Sequence, residues 1–212
     1  ISQTMVASDC RIERECWLGN LVADATAWYA NVDIALVEDE SLTGDLVRFS
    51  LTRNQVRDAL ANLADEIVVQ RDVPGAQLRE ILQLAVINND MMQISRSLNV
   101  TWSLVGGDPV LADAVLVHGI LLEDTANYSV AASRSLWEKR FPPVECFDER
   151  WYLGVSHYEC VGEYMDIFHY DEETGLDPML EYAYLRTEKT DDISLLHVAF
   201  FCGDHEDSSL RL

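Results

Sequence analysis

Cys10 and Cys16 bracket a charged turn that opens directly onto an apolar segment, CRIERECWLGNLVADA over residues 10–25. Thiols at this spacing fit a short disulfide-closed loop. The chain holds five cysteines, and Cys146, Cys160 and Cys202 are the others. None forms a C-x-x-C pair, which argues against a zinc ribbon or a thioredoxin-like site. Cys160 and Cys202 fall in strand-like segments and could pair with each other, or either could pair with Cys146. An odd cysteine remains, free or joined to another chain. The acidic turn Glu38-Asp39-Glu40 offers hard oxygen ligands for a cation such as Ca²⁺. It lacks the alternating spacing of a metal loop, as does Asp171-Glu172-Glu173-Thr174-Gly175, so both read as solvated turns. His118, His157, His169, His197 and His205 are scattered and read as strand-face or surface residues. Ser95, Ser133 and Ser135 have neither a G-x-S-x-G elbow nor a positioned base. No catalytic residue and no metal ligand is assigned.

Electrostatics narrow the partners. A formal charge of −22 over 212 residues repels nucleic acid and disfavours small anions outside a local basic pocket. Cations and basic partners suit this field better. Two sequons, Asn99-Val100-Thr101 and Asn127-Tyr128-Ser129, make Asn99 and Asn127 candidate glycosylation sites. With the cysteine usage they point to a secreted, extracellular protein. No apolar run approaches the roughly 20 residues of a membrane span. The first residue is not Met and no signal-peptide pattern follows, as expected of a mature or excised piece of a longer precursor.

Helical spacing of Trp17, Leu18, Leu21, Val22, Ala25 and Trp28 or Tyr29 predicts an amphipathic helix over 15–30. Residues 33–37 read as a short buried strand. Thr52 and Gln55 match a capping box that opens a helix to about Leu63. Residues 66–73 are β-rich, and Pro74-Gly75 turns the chain into a helix over 76–87. Short strands are expected at 91–95, 100–104, 114–117 and 128–132, separated by turns such as Gly106-Gly107-Asp108-Pro109. Beyond Phe141-Pro142-Pro143 the chain turns aromatic and acidic, with β-like runs at 151–160, 163–169, 180–185 and 195–202.

Taken together, CRIERECWLGNLVADA, VDIALV, GDLVRFSLTRNQVRDAL and VPGAQLREIL resemble, in order and spacing, the C-terminal domain of the 5′-nucleotidase family. The resemblance runs from about Val6 to Ser135. It implies an N-terminal metallophosphatase domain with two divalent metals, and a C-terminal domain that supplies the substrate site. There an aromatic pair sandwiches the base while arginines and an asparagine grip the nucleotide. No histidine precedes His118 and no Asp-x-His pattern occurs, so this segment alone is not expected to hydrolyse anything and carries no cofactor.

The substrate motifs also depart from the family's. Where relatives have an Asn-Gly-Gly-Gly-Ile-Arg turn, this chain has Glu38-Asp39-Glu40-Ser41-Leu42-Thr43. Glycines there admit backbone amides to the ligand, and the arginine neutralises phosphate. The Pro-Phe-Gly turn falls near Leu63-Ala64-Asp65-Glu66. A stacking phenylalanine aligns near Ser135, and the next Gly-rich aromatic turn has become Lys139-Arg140-Phe141-Pro142-Pro143. Stacking contributes about 1–3 kcal/mol per base in related settings. The resemblance supports the Cys10–Cys16 loop, since extracellular members carry one there, and leaves Arg11 as the vestigial phosphate ligand. One arginine against Glu38, Asp39 and Glu40 does not make a nucleotide site.

The expectation is an α/β (α+β) fold: a 5′-nucleotidase C-terminal-like mixed sheet with flanking helices over 1–143, and a β-rich acidic extension over 144–212 that could pack on it. The expected function is a non-catalytic extracellular binding or assembly module. Its partner would be another protein or the missing N-terminal domain, not nucleic acid, with nucleotide binding doubtful and no membrane span in this segment. The alternative is the substrate-binding half of a secreted 5′-nucleotidase-type phosphohydrolase.

Overall fold

Ile34-Ala35-Leu36-Val37 is apolar and buried at every position, which a strand tolerates only when both faces of its sheet are covered. The computed structural model, which describes residues 4–5, 17–38, 42, 46–47, 53–60, 66–88, 90, 92–140, 151–167 and 187–190, shows two covers. In chain order the elements are β1 (Thr4–Met5), α1 (Trp17–Ala30), β2 (Ile34–Val37), β3 (Leu46–Val47), α2 (Arg53–Ala59), β4 (Ile67–Pro74), α3 (Gly75–Ile87), β5 (Gln93–Ile94) and β6 (Leu98–Val105). They continue with β7 (Asp108–Leu111), β8 (Leu116–Val117), β9 (Ile120–Leu121), β10 (Asn127–Ser133), α4 (Arg134–Arg140), β11 (Trp151–Tyr152), α5 (His157–Ile167) and β12 (Thr187–Thr190).

The central sheet has the order β11-β4-β10-β2-β5. β10 runs parallel to β2, with Val130 opposite Ile34 and Ala132 opposite Leu36, and antiparallel to β4. Alternation then divides the side chains. Ala35, Val37, Ile67, Val69 and Ala131 face α1, α2 and α5, while Ile34, Leu36, Val68, Val130 and Ala132 face α3, α4 and the second sheet. That second sheet has the order β12-β6-β8-β9, with β7 paired to β6. β1 and β3 form a separate antiparallel pair. The architecture is the expected mixed α/β fold.

Local chemistry explains several joints. α1 ends in a Schellman arrangement: Asn31 takes φ 49°, its N–H reaches Trp28 O at 3.2 Å, and Val32 N–H reaches Ala27 O at 3.1 Å. Gly19 lies against Gln93, whose Cγ stands 2.3 Å from where a Cβ would sit, so the glycine lets α1 approach β5. At Gly75 a Cβ would meet the Glu123 carbonyl oxygen at 2.1 Å. Arg79, one turn on, donates to Asp124 at 2.8 Å and to Leu122 O at 2.9 Å, tying α3 to the loop before β10.

The helix over 53–63 is shorter than expected. It ends at Ala59, Leu60 lies in a turn, and Thr52 and residues 61–65 fall outside the described residues. Gly106-Gly107, expected as a spacer, is a two-residue hairpin loop with both φ positive (66° and 100°), which continues the chain into β7.

Two expectations are corrected. The expected strands at 151–160 and 163–169 are replaced, over the described residues, by a two-residue β11 at Trp151 and Tyr152 and by α5 over 157–167. The reason is a capping box. Glu159 Oε2 accepts from Ser156 N–H at 2.7 Å, and Ser156 Oγ accepts from Glu159 N–H at 3.3 Å. Likewise Lys139 and Arg140 do not sit in a turn but close α4, which Ser133 opens by accepting from Leu136 N–H at 3.2 Å. β11 pairs with β4, and Cys160, Val161 and Tyr164 enter the core beneath α1. The runs at 180–185 and 195–202 lie outside the described residues.

Candidate functional site at the carboxyl ends of the parallel strands

Open α/β sheets place ligands outside the carboxyl ends of neighbouring parallel strands. Here β2 and β10 are the parallel pair of the central sheet. β2 delivers Glu38 directly after Val37, and β10 delivers Ser133, followed by Ser135 and Lys139 on α4. Ser135 Oγ donates to Glu38 Oε2 at 3.1 Å, and Lys139 Nζ lies 3.6 Å from Glu38 Oε1. Ser133 and Ser135 hydroxyls are 3.0 Å apart. The Glu38 side chain is 16% exposed against 47% for Lys139, so the carboxylate is tucked in and the ammonium covers it from solvent.

This arrangement is self-contained. A hydroxyl and an ammonium occupy the two carboxylate oxygens, and the pair is neutral. An incoming phosphate would have to draw Lys139 away from Glu38. The exchange gains little, because a half-exposed ion pair contributes only about 0.2–1 kcal/mol while an anion brought beside a tucked carboxylate is repelled. The Arg134 guanidinium beside Ser135 is engaged by Glu138 at 3.0 Å and stands 3.9 Å from Glu66. Among the described residues no three His, Cys, Asp or Glu side chains converge as a donor set.

Other sequence-derived candidates fall elsewhere. Cys10, Arg11, Cys16, Asp39, Glu40, Cys146 and Cys202 lie outside the described residues. Asn99 and Asn127 are both exposed, on β6 and at the start of β10. Cys160 is a correction: it lies buried on α5 with a free thiol, not on a strand facing another cysteine. Burial, then the neighbouring Glu159, pushes that thiol up to about 12. His157, read as a strand-face or surface residue, is fully buried at the start of α5, its Nδ1 2.8 Å from Thr26 Oγ1. Since the Thr26 hydroxyl donates to Val22 O at 2.8 Å, Nδ1 is the donor in the second bond.

The amino ends of the same strands carry a polar network that sequence reading missed. Asp33 Oδ2 accepts from Ser129 N–H at 2.8 Å and Ser129 Oγ at 2.6 Å, while Asp33 N–H donates to Ser129 Oγ at 2.8 Å. Ser97 Oγ donates to Asp33 O, and the Ser95 and Ser97 hydroxyls are 2.9 Å apart. Ser95 Oγ accepts from Ala35 N–H at 2.9 Å, and Asp24 Oδ1 accepts from Arg96 N–H at 2.7 Å. Partial burial alone would raise the Asp33 carboxyl, but the Ser129 bonds, with His118 at 3.6 Å, outweigh it and hold the group below the ordinary carboxylate range. The one signal in the sequence is an aspartate immediately before an apolar strand, which is common.

Solved structures share this architecture. A 5′-nucleotidase precursor from Thermus thermophilus superposes with a TM-score of 0.66 at 20% identity, over 89% of this chain and 38% of that one. A NAD nucleotidase from Haemophilus influenzae gives 0.63 at 11%, over 84% and 33%. A sulfate thiohydrolase from Thermus thermophilus gives 0.56 at 15%, over 85% and 33%. This chain therefore spans between 33% and 38% of these proteins' length, and at such identities they report the fold alone. No curated protein matches the sequence. The family model for the 5′-nucleotidase C-terminal domain, however, matches residues 1–137. The chain belongs to the 5′-nucleotidase C-terminal domain family.

Proposed function

We propose that this chain is a non-catalytic, extracellular binding or assembly module built on the 5′-nucleotidase C-terminal domain. The observation that carries the proposal is the Glu38–Ser135–Lys139 cluster, which sets an already paired carboxylate at the carboxyl ends of the parallel strands β2 and β10, where open α/β sheets take ligands. The charge of −22 adds a field that favours a basic partner over a nucleotide. Exposed Asn99 and Asn127 are accessible to glycosylation, in keeping with secretion. Calorimetric titration of the chain with adenosine and with AMP tests the reading. No saturable heat is expected up to millimolar ligand, and one-to-one binding at micromolar affinity would remove it.

A second reading is favoured by the chain's 38% coverage of the Thermus thermophilus 5′-nucleotidase precursor. Under it, the chain is the substrate-binding half of a secreted phosphohydrolase, and two divalent metals reside in an N-terminal domain. It requires that the coding sequence upstream of Ile1 specify a metallophosphatase domain with intact Asp and His ligands. An upstream domain without those ligands would eliminate it.

A further inference from the structure

A concavity of about 180 Å³ lies between α1 and α5, at the end of α1 that leads towards β2. Tyr29, Val155, Tyr158, Glu159, Gly162 and Glu163 line it. Tyr29, Tyr158, Glu159 and Glu163 line a space onto which Gly162 opens, since no atom lies within 4 Å of where its Cβ would be. Among the described residues, neither lysine nor arginine lines this cup. An aromatic shelf backs it: Trp28 meets Tyr164 edge-to-face at 5.7 Å and Tyr29 at 6.4 Å.

From this geometry we infer a binding site for a small organic ammonium ion, held by the tyrosine faces and the Glu159 and Glu163 carboxylates. Aromatic faces attract cations through the ring quadrupole, most strongly where methyl groups make hydration poor. The site is also preorganised. Glu159 Oε2 accepts from both Ser156 N–H at 2.7 Å and Ser156 Oγ at 2.9 Å, so the carboxylate is already oriented before a ligand arrives. Those same bonds lower its proton affinity, which keeps it charged. Burial, then Glu163, Cys160 and Glu159, raises the Tyr29 phenol, which keeps that ring neutral at physiological pH. The inference is independent of the Glu38 cluster and survives either reading of it.

The test is a chemical-shift titration of the whole chain with tetramethylammonium chloride, against sodium chloride at equal ionic strength. Saturable shifts confined to Tyr29 and residues 158–163 are expected with the organic cation and not with sodium. Glu163→Gln should weaken binding about five- to tenfold, as expected when a charge partner is lost from a cation–π site. Gly162→Leu should abolish binding by projecting a side chain from the open Gly162 position into the cup, and melting curves of both variants verify folding. Parallel arms with choline and with a lysine amide identify the source of the ammonium, free metabolite or side chain. Shifts that sodium reproduces, or that persist unchanged in Gly162→Leu, would overturn the inference.

Discussion

The two ends of the β2–β10 pair are built from similar residues and do different work. At the amino ends, Asp33 and Ser129 exchange three hydrogen bonds, and Ser95 and Ser97 extend the network to the turn before β6. These bonds join the first residues of β10, the entry to β2 and the following turn, so they set the strands' alignment. At the carboxyl ends, Glu38, Ser135 and Lys139 also pair, but the contact joins a strand exit to the exposed side of α4. What fixes α4 is packing: Leu136 and Trp137 are fully buried, and Trp137 Nε1 donates to Val68 O at 2.9 Å. Polar residues at one end therefore hold the fold, and at the other they pair with one another beside a helix that packing holds.

The comparison can be broken by substitution, and the largest effect should come from the packing anchor. Trp137→Ala removes the largest fully buried side chain among the described residues and leaves the Val68 carbonyl without its indole donor. A loss of about 3–5 kcal/mol is expected in denaturant unfolding. Asp33→Ala should cost about 1.5–3 kcal/mol, the range for hydrogen bonds to a charged group. A loss below that of Glu38→Ala would reverse the assignment of the two ends. The Asp33 carboxyl is depressed in the folded state, so its contribution is complete above the unfolded value of about 4. It is lost as pH falls through the lower folded value. Asp33→Asn should flatten that part of the acid limb of the stability profile. Glu38→Gln should change stability by less than about 1 kcal/mol, as for a half-exposed ion pair.

Much of the scaffold is legible because it is written in local periodicities. The apolar spacing in α1, the all-apolar β2, and the Pro74-Gly75 junction before α3 each depend on neighbours in sequence. α5 reads as strand because its aromatic residues suggest β propensity, although the Ser156-x-x-Glu159 box that caps it is in view. α4 escapes notice for a related reason: alignment reads Lys139 to Pro143 as a turn, although the Ser133 hydroxyl in view caps a helix. The site is legible by position and opaque by partner. Alignment brings Glu38, Ser135 and Lys139 to the substrate region, yet only the parallel pairing of β2 with β10 makes them meet. The amino-end network is illegible because three scattered serines and one aspartate carry no spacing signal.

The proposal turns on whether the paired Glu38–Ser135–Lys139 cluster keeps nucleotide from the carboxyl ends of β2 and β10. The most direct measurement is an AMP titration followed through the backbone amides of Glu38 and of residues 133–139. The account predicts no saturable shift at these positions up to millimolar AMP. Saturable shifts there at micromolar AMP, with Lys139 drawn away from Glu38, would contradict it.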